Sequence, residues 1–120
     1  MRPEAAALLW DAREAAKRVT EFVSGLDEIG YRSDALRRSA VERQLEIVGE
    51  ALNSLRRVDA ETADQIPELH RIVGLRNVLA HAYAVVDDGV VWVAASERIP
   101  ELISRLDLLL GEETTHDSSS

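Results

Sequence analysis

Ile72-Val-Gly-Leu-Arg-Asn-Val-Leu-Ala-His-Ala-Tyr83 is the stretch whose reading decides the fold. Its apolar positions recur at helical spacing, and each residue of an α-helix advances the wheel by ~100°. With Leu69 as zero, Ile72, Val73 and Ala80 fall within roughly 60° of it and form an apolar stripe. Arg76 and Tyr83 fall ~20–40° from Leu69, inside the same stripe. A guanidinium there is costly to bury without a partner. Either this face is not a closed core, or an anion meets it. Asn77 and His81 sit one turn apart on the flank of the stripe, with Gly74 below them. Gly inside a helix costs roughly 1 kcal/mol against Ala. Its presence predicts a close approach to the backbone beside His81.

Working outward from this helix, read as about Glu68 to Tyr83, the same periodicity predicts three more. The first runs from Pro3 to about Leu26, with Pro at its start and Leu8, Leu9, Ala12, Ala15, Ala16, Val19 and Phe22 in helical register. Gly25 and Gly30 bracket the turn after it. Ser33 is the expected N-cap of the next helix, about Asp34 to Arg57. Its stripe of Val41, Leu45, Val48, Leu52 and Leu55 is widened by Ile47 and Ala51, so it packs on two sides. Asp59 to Ile66 predicts a short extra helical turn before Pro67. A Val-Val-Asp-Asp-Gly run ending at Gly89 marks a loop. From Val90 to about Leu110 the chain reads as the fourth helix. Its VVWVAA start is rich in β-branched residues, but a single strand would have no partner. The fold class is therefore all-α, an up-and-down antiparallel four-helix bundle over residues 1–110, followed by a disordered polar tail at 111–120.

The chain has 120 residues, enough for one domain with its own core. It has no cysteine, which excludes a disulfide framework and a thiolate zinc site and fits a reducing, cytoplasmic setting. No signal pattern and no apolar run of membrane-spanning length is present. The net charge of −8 argues against nonspecific nucleic-acid binding. The charge is uneven, however: residues 30–76 hold eight Arg and eight acids, so the excess lies outside the central segment. Thirteen of the fourteen basic residues are Arg, the side chain suited to bidentate phosphate contacts, although base composition favours Arg as well.

Few chemistries fit the remaining residues. His70 reads as a surface residue and His116 lies in the tail. On spacing alone, His81 reads first as a C-terminal His interacting with the helix dipole. No two His share a helix face, so no metal and no cofactor is expected. Glu46 and Glu50 lie one turn apart but lack a Glu-x-x-His companion. With Arg43 they read as an ion-pair ladder. There is no glycine-rich phosphate loop and no nucleophile elbow. What remains is Arg76, Asn77, His81 and Tyr83. A His can move a proton to or from a ribose oxygen. An Arg can hold a phosphate as charge builds on it, and an Asn can fix the His tautomer or donate to phosphate. One His per chain is short of an acid and a base, and a symmetric dimer would supply the second.

These pieces together resemble the HepT-like branch of the HEPN domains, the toxin half of a type VII-like toxin–antitoxin pair. The likeness is carried by Arg43-Gln-Leu-Glu-Ile-Val-Gly-Glu-Ala51, by Ile72 to Asn77 followed by His81-Ala-Tyr83 as R-x4-H-x-Y, by Val86-Asp87 and Val91-Trp92, and by Ile99-Pro-Glu-Leu102. Where that family carries a Trp before the motif helix, this chain reads Glu68-Leu69-His70. The resemblance implies a homodimer with Arg76 and His81 of both copies facing one cleft. It implies a metal-independent endoribonuclease acting on RNA. It also implies a minimal nucleotidyltransferase antitoxin that transfers AMP to Tyr83. The alternative, from another class, is a non-catalytic helical dimer that serves such a nucleotidyltransferase as an accessory or substrate-binding subunit.

Overall fold

Aspartates set most of the helix starts. In the computed structural model, which describes residues 1–81 and 85–119 with side chains through residue 111, four of them accept backbone amides at N-caps. Such a cap contributes about 1 kcal/mol. Helix α1 (Pro3–Val23) instead begins on its proline. Asp27 caps α2 (Glu28–Arg32) by accepting from the Gly30 amide at 2.7 Å. Asp34 caps α3 (Ala35–Val58) through the Arg37 amide at 3.0 Å. Asp59 caps α4 (Ala60–Ala63) through the amide and hydroxyl of Thr62. Next comes α5 (Leu69–Ala80). Asp87 then accepts from the Gly89 and Val90 amides to start α6 (Asp88–Val93). A π-helical turn, Ala94–Arg98, joins α6 to α7 (Ile99–Ser119).

The all-α class and the four long helical segments match the sequence reading. Helix α3 lies between α1 and α5, and α1 also packs on α7. The Arg2 guanidinium donates to the Val58 carbonyl, tying the start of α1 to the end of α3. Arg56 and His70 meet at 3.4 Å, tying the end of α3 to the start of α5. Both pairs therefore run antiparallel. The core holds Leu9 and Val19 of α1, the Val41-Leu45-Val48-Leu52-Leu55 stripe of α3, Ile72 and Val73 of α5, and Ile99, Leu102 and Leu106 of α7. Ala12, Ala15 and Ala16 are also fully buried, which lets α1 approach its neighbours closely. No helix among the described residues is long and apolar enough to cross a membrane.

The structure corrects four local expectations. Asp34, not Ser33, caps α3; the Ser33 hydroxyl is already spent on the Ile29 carbonyl. The segment after Gly25 winds into α2 because Asp27 supplies a cap, and Gly30 lies within that helix. Asp88 and Gly89 open α6 rather than forming a loop. Helix α5 stops at Ala80, three residues early, and Ala80 is exposed rather than part of the stripe. The π turn is an addition that periodicity does not reveal. At the other end, the helical backbone of α7 continues past Leu110 to Ser119.

A polar cluster joins α2, α3 and α6. Tyr31 is fully buried, with Trp92 at 5.6 Å between ring centroids. Its burial, reinforced by the carboxylates of Glu42 and Asp88, pushes the phenol up. Arg38 pairs with Asp88 at 3.9 Å and donates to the Arg32 carbonyl. Burial, then the Asp88 charge, raises the Glu42 carboxyl above its ordinary 4.5, with Arg38 opposing. The folded state thus holds the Glu42 proton more tightly than the unfolded chain does. Its cost to stability is absent below about pH 4 and grows as pH rises through the raised value. Glu42→Gln is expected to be more stable than the parent at about pH 7.5, with the gap closing toward about pH 4. Denaturant melts at the two pH values check this; a gap that does not change with pH contradicts it.

Candidate active site

The motif helix is held by its own apolar stripe. Leu69, Ile72 and Val73 are buried against the core, which fixes the rotation of α5 about its axis. Its start is held by an unusual backbone. Glu68, the N-cap, has φ 64°, the left-handed region that non-glycine residues rarely enter. Arg98, the last residue of the π turn, binds the Glu68 carboxylate, and Arg71 adds a second contact at 3.7 Å. The Arg98 hydrogen bond, with the Arg charges, holds that carboxyl below its usual range. The π turn thus places a cation where the motif helix begins, in keeping with the frequent use of such bulges at functional sites.

Gly49 marks the crossing of α3 and α5. It is buried, and a Cβ built on it would lie 2.8 Å from Arg76 Cγ, nearer still to Arg76 Cβ, and 3.2 Å from the Ile72 carbonyl oxygen. The stem of Arg76 therefore lies directly on bare α3 backbone. This answers the question posed by an Arg in an apolar stripe. The stem occupies the stripe, and the half-buried side chain carries its charge outward, as long cationic side chains do. Arg76 Nη1 donates to Asn77 Oδ1 at 3.1 Å. Asn77 is exposed, and its carbonyl serves to orient the guanidinium.

His81 caps the C-terminus of α5. Its backbone is extended (φ −82°, ψ 119°), and its amide donates to the Val78 carbonyl at 3.2 Å. Its exposed ring therefore leaves the helix at a fixed point, one turn beyond Asn77. Arg76 and Asn77 lie in the last turns of α5, and His81 stands at its C-cap. Tyr83 lies outside the described residues. The chain after it is anchored again at Asp87, the cap of α6, and at Asp88, bound to Arg38 of α3. The motif segment is thus bounded on both sides by fixed helices.

Other candidates stand apart. His70 is exposed and contacts Arg56. Arg43 pairs with Glu46 at 3.5 Å, as the ladder reading expects, whereas Glu50 faces a surface hollow with Trp10 and Arg18. No group of His, Asp or Glu among the described residues could hold a metal ion. Gly74 is not the point of close approach; a Cβ there would meet nothing within 4 Å. It borders a groove of about 480 Å³ lined by Leu75, Val78, Val86 and Val90, with Arg71 and Arg98 at its edge. Val78, Val85 and Val90 are exposed there. Sequence reading missed this second apolar face, although Leu75 and Val78 lie opposite the stripe on the wheel. It also missed Gly49, whose one signal was a glycine in the interior of a strong helix.

The arrangement offers a guanidinium for an anion and an imidazole for proton transfer. Residues 12–109 match the family described as Ribonuclease HepT-like. A Methanocaldococcus jannaschii protein provisionally named RNase MJ1380 is 32% identical over 103 residues, covering 86% of this chain and 94% of that protein. A Thermococcus cleftensis protein bearing the name "Probable ribonuclease HepT" is 32% identical over 101 residues, covering 84% of this chain and 91% of that one. A Caldanaerobacter subterraneus protein provisionally named RNase TTE0752 is 31% identical over 93 residues, covering 78% and 82% of the two chains. No solved structure matches significantly. On a match that spans most of its length, the chain belongs to the HepT-like ribonuclease family.

Proposed function

We propose that this chain is a metal-independent endoribonuclease, the cytoplasmic toxin of a type VII-like toxin–antitoxin pair. The observation that carries the reading is the Arg76 guanidinium, oriented by Asn77 on the helix that His81 caps, in a chain of the HepT-like family. The chemistry is transesterification. The ribose 2′-oxygen attacks the adjacent phosphorus, the bond to the 5′-oxygen breaks, and a 2′,3′-cyclic phosphate forms. His81 takes the 2′-hydroxyl proton or protonates the leaving 5′-oxygen. Arg76 stabilises the negative charge that builds on the phosphoryl oxygens. Asn77 keeps Arg76 aimed.

One His81 cannot serve both roles at once, so the reading includes a homodimer in which two copies build one cleft. The exposed valines of the groove and the bare backbone of Gly74 support a second copy on this face. Light scattering at tens of micromolar is expected to give a dimer mass, and a monomer alone contradicts this. His81→Ala and Arg76→Ala are each expected to lower RNA cleavage by ~10²–10⁴-fold with the helical fold retained, and Asn77→Ala by less. Cleavage is expected to continue in EDTA. A folded His81→Ala dimer that cuts at the parent rate removes the assignment.

Regulation falls to a nucleotidyltransferase antitoxin acting on Tyr83. The phenol oxygen would attack the α-phosphorus of ATP, releasing pyrophosphate and leaving a phosphodiester-linked AMP. The added anion would compete for the positive charge meant for RNA phosphate, and the nucleoside would obstruct the cleft. Co-expression with the neighbouring nucleotidyltransferase is expected to add the mass of one AMP per chain, abolished by Tyr83→Phe. An inhibited complex with unmodified Tyr83 means that the partner acts by occlusion. A chain that binds the nucleotidyltransferase but never cuts RNA favours the accessory-subunit reading.

A further inference from the structure

We propose that Gly49, in the middle of α3, is a positioning residue that seats Arg76; the inference rests on the endoribonuclease reading. Gly49 has no conformational reason to be glycine, since it lies within a 24-residue helix and is not among the positive-φ positions. Inside a helix it costs stability against alanine. What it provides is space. A Cβ at Gly49 would overlap Arg76 Cβ, stand 2.8 Å from Arg76 Cγ, and press the Ile72 carbonyl oxygen at 3.2 Å.

Two of these three atoms belong to Arg76, and the third is backbone of α5 one turn earlier. An added methyl group could be accommodated only by moving α5 and α3 apart or past each other, because Arg76 Cβ is fixed to the α5 backbone and no rotation of the side chain moves it. That shift moves the point from which the guanidinium leaves the helix surface. Asn77 cannot correct the error, because it belongs to the same helix and holds only the far end of the side chain. Gly74, by contrast, faces open space and has no such role within the chain. The absence of a side chain at Gly49 thus sets the Arg76 position with a tolerance below the width of a methyl group. Reacting groups misplaced by about 1 Å lose ~10²-fold in rate.

The test uses the full chain in four forms: parent, Gly49→Ala, Arg76→Gly, and the double variant. The Nε–H resonance of Arg76, identified by its loss in Arg76→Gly, is expected to shift in Gly49→Ala, while that of Arg13 stays in place. Cleavage by Gly49→Ala is expected to fall about 10–100-fold in kcat with KM little changed. In the Arg76→Gly background the same Gly49→Ala change is expected to leave the residual rate unaltered and to cause a smaller loss of Tm than in the parent background, since only the Ile72 carbonyl contact then remains to be relieved. An unmoved Arg76 resonance with parent-level kcat overturns the proposal. So does an equal fold-loss of rate in both backgrounds, which would mark a general disruption of packing. If Gly49→Ala alone does not fold, the double variant decides: recovery supports the contact, and failure overturns it. A parent chain that cuts no RNA removes the endoribonuclease reading, and the resonance and the Tm comparison still judge Gly49.

Discussion

The closeness of α5 to α3 at Gly49 is the constraint on which the site depends. Helices usually pack 8–10 Å apart at distances set by the side chains between them. Here one partner contributes no side chain, so the Arg76 stem and the Ile72 carbonyl rest on backbone. The apolar stripe of α5 sets its rotation, and Gly49 sets its depth. Once both are fixed, the point at which the Arg76 stem leaves the interface is set, with Asn77 beside its guanidinium. Glu68 and Arg98 secure the N-terminal end of the same helix, and the His81 amide closes its last turn.

The features that made the fold legible were local. The stripes of α3 and α5, the short turn before Pro67 and the helical reading of VVWVAA all follow from spacing and propensity, and the structure contains them. Asp34 in place of Ser33 is an error of one residue between two good caps, decided by the Ile29 carbonyl claiming the Ser33 hydroxyl. The features that were not legible depend on distant partners. Glu68 sits in the left-handed region with its carboxylate bound by Arg98, 30 residues away. Gly49 needs its side chain absent because Arg76 arrives from another helix. The sequence marks a glycine in each long helix of the motif region, and only the packing says which one is crowded. Gly74 looked crowded and is open; Gly49 passed as ordinary and is not. Arg76, Asn77 and His81 were read from one helical segment, and the early end of α5 puts His81 at the cap rather than in the helix. Tyr83 lies outside the described residues.

The site's electrostatics fit a substrate that is bound locally rather than gathered by a broad field. The chain carries a net charge of −8, so phosphate attraction must come from individual guanidinium groups. Several Arg side chains are already committed: Arg98 to Glu68, Arg38 to Asp88, Arg13 to Asp107. Arg76 differs in having a neutral amide oxygen as its oriented partner, so its positive charge is not cancelled by that contact. An anion reaching α5 would meet a preset cation and an exposed imidazole. The groove beside Gly74 offers the apolar surface on which a second copy could bring a second imidazole to the same phosphate.

The most direct measurement is the chemistry of the RNA ends left by the purified chain in EDTA. The account predicts 2′,3′-cyclic phosphate and 5′-hydroxyl ends, and no cleavage where the attacking ribose is replaced by a 2′-deoxyribose. Ends bearing 3′-hydroxyl and 5′-phosphate, or cleavage that needs a divalent cation, would contradict it.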